Sequence, residues 1–95
     1  MSVLNELADA WHSKQMAEGH ALRFVRAKTR IVYRLAEFAH DNDWSENPRK
    51  ITEEQMQAFV ASLNLSANSR KIYMTELWRF ARWANLPLPT EGGQA

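Results

Sequence analysis

Between Arg23 and Arg34 the chain carries five basic residues and no acidic one. On a helix, at about 100° per residue, Arg23, Arg26, Arg30 and Arg34 fall within an arc of about 80°. Cations crowded onto one helix face repel one another unless an anion lies near. A phosphate backbone supplies one, because each neutralised phosphate releases condensed counterions and adds to affinity. The planar guanidinium also suits bidentate contact with phosphate or a guanine edge better than an ammonium does. The plain alternative is a solvated face with local pairs such as Arg30 to Glu37 or Arg34 to Glu37, and the residues alone leave both readings open. A second basic stripe, Lys71, Thr75, Arg79 and Arg82, is flanked by Ile72, Trp78 and Trp83. If these residues, together with Arg49 and Lys50, face the same side as the first stripe, the protein presents a continuous basic surface.

Side chains suited to covalent or acid–base chemistry are poorly placed for it. Tyr33 and Tyr73 stand at apolar, core-like positions. His12, His20 and His40 do not form a close ligand set, since the first two are separated by a break at Gly19. There is no H-E-x-x-H, no phosphate-binding glycine loop and no G-x-S-x-G elbow. The expectation is a chain with no enzymatic activity, metal or cofactor of its own.

The elements that must position the basic stripes read as helical throughout, in a small bundle of four helices, or five. Val3, Leu4, Leu7, Ala10 and Trp11 predict a first helix from about Ser2 to Ala17, broken at Gly19. The second runs from about His20 to Asp41, its apolar face formed by Phe24, Ile31, Leu35 and Phe38 with Val32. Asn42 to Lys50, with Trp44 and Pro48, reads as a loop. Thr52 with Gln55 makes a capping box that opens a third helix to about Leu63. The fourth covers roughly 67–85. Ser66 or Ser69 caps it, Tyr73, Leu77, Phe80, Ala81 and Ala84 form its buried face, and Pro87 and Pro89 forbid its continuation. Trp11 and Trp83 fit core positions, Trp44 suits a cover over the bundle's end, and Trp78 sits beside the basic stripe. No stretch shows the alternation of a strand.

The fourth helix has a fainter copy: Ala27, Thr29, Arg30, Val32 and Tyr33 align with Ala67, Ser69, Arg70, Ile72 and Tyr73. This is weak similarity and no solenoid, which needs at least three repeats. Ser69, Tyr73, Leu77, Phe80 and Trp83, preceded by Ile51, Thr52, Met56, Phe59, Val60 and Leu63, with Thr29 and Tyr33 upstream, resemble the core-binding domain of the tyrosine recombinase, or phage integrase, family. The resemblance covers roughly 20–86. It departs after Tyr33, where Glu37 and His40 stand at places the family fills with Leu and Phe, and Leu35 and Phe38 serve instead. It implies an all-α, SAM-like DNA-binding module at 1–86, gripping double-stranded DNA at the core site, with a linker or flexible tail at 87–95. The strand chemistry would lie in a tethered catalytic domain of which nothing is present here. Carried onto this chain, it implies DNA contacts by Arg26, Arg30, Arg34, Lys71, Arg79 and Arg82; Arg23 and Thr75, in the same stripes, complete the candidate set.

Composition narrows the alternatives. Ninety-five residues suit one domain near the lower limit of what a single core stabilises, and 45% hydrophobic residues fit a globular chain. Absence of cysteine excludes disulfides and thiolate metal sites. With no long apolar run and no signal-peptide pattern, the expectation is an intracellular, cytoplasmic domain without membrane partners, of bacterial or phage origin if the resemblance holds. The net charge of +1 says nothing about nucleic acid; its distribution does. A second reading is a stand-alone helical adaptor or inhibitor that uses acidic Glu37, Asp41, Asp43 and Glu46 on a protein partner.

Overall fold

Leu4, Ala8, Trp11 and Gln15 are buried at spacings of four, three and four, the mark of one helix face turned inward. They belong to α1 (Val3–Ala17) in a computed structural model that describes residues 3–45 and 47–89. The chain is all-helical: α2 spans Leu22–Asp41, α3 Glu53–Ser62 and α4 Ala67–Ala84, with a short 3-10 turn at Pro48–Lys50 and no strand among the described residues. It divides into two compact units, Met1–Glu46 and Asn47–Ala95. No helix among the described residues is long and apolar enough to cross a membrane.

In the first unit α1 packs on α2. The buried residues of α2 are Val25, Thr29, Ile31, Val32, Leu35, Ala36 and Ala39. Phe24, expected on this face, is 57% exposed. By angle Phe24 lies between the buried Ile31 and Leu35; its exposure goes with its place in the first turn of α2, where Leu22 is exposed as well. Thr29 is tolerated inside because its hydroxyl donates to the Val25 carbonyl at 2.8 Å, so this buried polar group is not left unmet. On α1, Val3 and Ala10 face outward. Ser2 lies outside the described residues. Trp44 folds back edge-on against Phe38, ring centroids 5.4 Å apart, which ties the segment after α2 to the helix it leaves.

In the second unit, Asn47 accepts from the Arg49 backbone N–H and starts the 3-10 turn. The Thr52 hydroxyl then accepts from the Gln55 N–H at 3.1 Å while the Gln55 side chain accepts from the Thr52 N–H at 2.9 Å, the reciprocal capping box expected there. Ser66 caps α4 by accepting from the Ser69 N–H. Met56, Phe59 and Val60 of α3 are buried, as are Met74, Glu76, Leu77, Phe80 and Ala81 of α4. Tyr73 and Ala84, assigned to that face from the sequence, are only half-buried, and so is Trp83. Met74 and Glu76 take the inner positions in their place.

All four helices stop at a left-handed residue: Gly19 (φ 86), Asp43 (φ 54), Asn64 (φ 50) and Asn85 (φ 56). Such a residue reverses the chain so that following N–H groups reach back to the last carbonyls of the helix. His20 bonds Gln15, Trp44 bonds Ala39, and Leu86 bonds Ala81 in this way. Arg49 adds a cation at the end of α4, donating to the Asn85 carbonyl at 2.8 Å, where the helix dipole is negative.

Candidate nucleic-acid interface

The first turn of α2 carries its charge, that of Arg23, against the helix dipole. Ala21 at its N-cap makes no side-chain hydrogen bond and the first turn holds no acid, whereas anions near a helix start and cations near its end are the stabilising arrangement. Arg23, Arg26 and Arg30 are exposed on the side opposite the buried face. Among the described residues no ion pair neutralises any of the three; Arg23 lies over the Phe24 ring, 5.2 Å from its centroid. Arg34, further along the stripe, is half-buried and engaged. The stripe therefore runs from Arg23 to Arg30, about 10 Å at 1.5 Å per residue, before the helix passes into exposed Glu37 and Asp41.

Two concave surfaces flank Arg26 and Arg30. A groove of about 560 Å³ lies between α1 and α2, with Asp9, His12 and Ser13 on one wall and Arg26, Arg30 and Tyr33 on the other. A second, of about 590 Å³, is bordered by Ala21, Leu22, Arg23, Arg26 and Arg30. At the far end of the first groove the Tyr33 hydroxyl donates to the Asp9 carboxylate. Burial, then the hydrogen bond to Asp9, then the Asp9 charge, push the Tyr33 phenol up to about 12. The phenol thus stays protonated in the folded state while an unfolded tyrosine ionises near 10. Its contribution to stability is complete below pH 10 and is lost as pH rises through 12. With Tyr73→Phe as background, absorbance of the Tyr33 phenolate should develop near pH 12 and, on adding Asp9→Asn, at lower pH; ionisation near 10 in both would sink this account.

On α4 the expected stripe is divided. Lys71 and Arg82 are exposed and Thr75 is half-buried. Arg82 stands over the Trp78 ring, 5.3 Å from its centroid, within cation–π range. Arg79, in contrast, is held by Glu76 in a 2.9 Å ion pair, the carboxylate side chain being only 8% exposed. Arg79 therefore satisfies a buried acid of its own helix. Sequence reading missed Glu76 because its place on the wheel lies between the apolar and basic arcs. It also missed Asp9, His12 and Ser13, whose neighbourhood depends on how α1 lies on α2; their i, i+3, i+4 spacing is the only local signal. Glu46, part of the acidic group named above, is outside the described residues, while Glu37, Asp41 and Asp43 are exposed. Among the described residues no group of three or more histidines and acids is arranged to hold a metal ion.

The chain matches no protein-family model, no curated protein and no solved structure.

Proposed function

We propose that this chain is a duplex-DNA-binding module, of the kind that serves as the core-binding domain of a tyrosine recombinase, with strand chemistry left to a separate catalytic domain. The observation that carries the DNA reading is the arginine face of α2: Arg23, Arg26 and Arg30 exposed, free of ion pairs among the described residues, with Arg23 in the first turn at the uncapped, positive end of the helix. This arrangement costs helix stability and is offset when a polyanion occupies it. A DNA strand presents a phosphate about every 3.4 Å along its axis, so a stripe of about 10 Å spans about three. In the second unit, taken by itself, Lys71 and Arg82 of α4 are exposed cations. The recombinase assignment rests on the resemblance of residues 20–86; the DNA reading stands without it.

A salt titration of binding to mixed-sequence duplex, read by fluorescence anisotropy, tests the proposal. The expected result is a linear fall of log affinity with log salt, with a slope of about −3 or steeper, for three or more phosphates at about −0.9 each. No binding even at low ionic strength would make the arginine face a solvated one and bring the protein-adaptor reading forward.

A further inference from the structure

We infer that the groove between α1 and α2 is a pocket for a single phosphate oxyanion, in which His12 and Ser13 of α1 complete a site with Arg26 and Arg30 of α2. The inference deepens the DNA-binding reading and rests on it. It makes α1 a second wall of the interface, where the sequence-read candidate set held only residues of α2 and α4.

The argument starts from register. The short connection 18–21 returns the chain along α1, and the Tyr33 hydroxyl on Asp9 fixes which residues meet. Moving from that contact toward the connection, α1 offers His12 and Ser13 where α2 offers Arg30 and then Arg26; all four line one groove. Two guanidiniums four residues apart supply forked donors. The Ser13 hydroxyl donates or accepts as needed, and a ring nitrogen of His12 donates in either tautomer or when protonated. None of these four side chains has a hydrogen bond or ion pair to another described residue, so their donors are available.

Asp9 sets the limit of the pocket. Its carboxylate repels an anion from the Tyr33 end, and the Tyr33 hydroxyl holds it there. The groove is thus donor-rich toward Arg26 and acceptor-rich toward Asp9, which favours an oxyanion at the His12, Ser13, Arg26 and Arg30 end over the Asp9 end. A flat basic face would accept phosphates at any offset. A pocket for one phosphate fixes the register of the strand on the helix, which is what backbone contacts contribute to recognition.

The test follows the full chain by NMR while it is titrated with mixed-sequence duplex and, separately, with inorganic phosphate, alongside anisotropy on Ser13→Asp and Asp9→Asn. Ser13 is exposed on a helix surface, and Asn retains an acceptor for Tyr33, so both variants should keep the helical circular dichroism of the parent. The expected result is saturable shifts of Ser13 and His12 with duplex, an affinity about tenfold lower for Ser13→Asp, and a severalfold higher affinity for Asp9→Asn. Duplex binding with Ser13 and His12 unmoved and both variants like the parent would overturn the pocket and leave the DNA module standing. Shifts with phosphate but no duplex binding would overturn the DNA reading and identify the groove as a site for free phosphate. No shift with either ligand would overturn both.

Discussion

Arg26→Glu combined with Arg30→Glu should lower affinity for duplex DNA by about 100-fold at low salt and flatten the salt slope by about 2, while the thermal midpoint stays level or rises. The two effects have opposite signs because the same residues play opposite parts. Under the DNA-binding proposal each arginine is a phosphate contact, and its reversal would replace attraction with repulsion. For the helix itself, Arg26 and Arg30 add to a crowd of like charges on one face, whereas glutamates at 26 and 30 would stand three residues after Arg23 and four before Arg34, spacings at which opposite charges stabilise a helix by about 0.2 to 0.5 kcal/mol each. A loss of affinity that merely reported unfolding would come with a lower midpoint. Thermal denaturation and anisotropy on one preparation separate the cases, and unchanged affinity in the folded double variant would defeat the DNA reading.

The second large effect falls on stability. Arg79→Ala should cost about 2 kcal/mol, because it leaves the inward-turned Glu76 carboxylate without its cation; for a domain of this size that is a fall of about 10 °C in midpoint. The figure is set below the full cost of breaking a buried pair because the Arg79 side chain is 56% exposed, so water already screens it. Adding Glu76→Gln to Arg79→Ala should restore most of the loss, since a neutral amide is far cheaper to bury than an unpaired charge. DNA affinity should fall less than about threefold, since one guanidinium already held by a carboxylate releases few counterions. A strong affinity loss at full stability would show instead that Arg79 leaves Glu76 to bind phosphate.

The contrast between Arg26 and Arg79 shows what the sequence could and could not convey. Both sit in basic stripes opposite apolar faces, and wheel geometry places both correctly on their helices. What separates them is a partner. Glu76 is three residues from Arg79, but nothing local says that its carboxylate turns inward. The Thr52 capping box, the Ser66 cap and the breaks at Gly19 and after α4 were legible because each is decided within a few residues. Phe24 was misplaced because a helical wheel gives angle and not position along the axis: it shares the angle of the buried Ile31 and Leu35 but stands in the first turn, beside exposed Leu22. The Tyr33 to Asp9 contact joins residues 24 apart in sequence. The groove it anchors depends on one helix lying on another, and such a neighbourhood has no one-dimensional signature.

The uncapped start of α2 bears on how this protein would respond to laboratory selection. Serine or aspartate in place of Ala21 would supply the missing acceptor, and acids at the next positions would complement the dipole; such changes commonly contribute about 0.5 to 2 kcal/mol each. A library screened for heat resistance alone would therefore drift toward negative charge where α2 begins. Its fittest members would be harder to melt and would have lost the charge on which the proposed binding of a polyanion rests, so under that proposal thermal tolerance is a poor proxy for function.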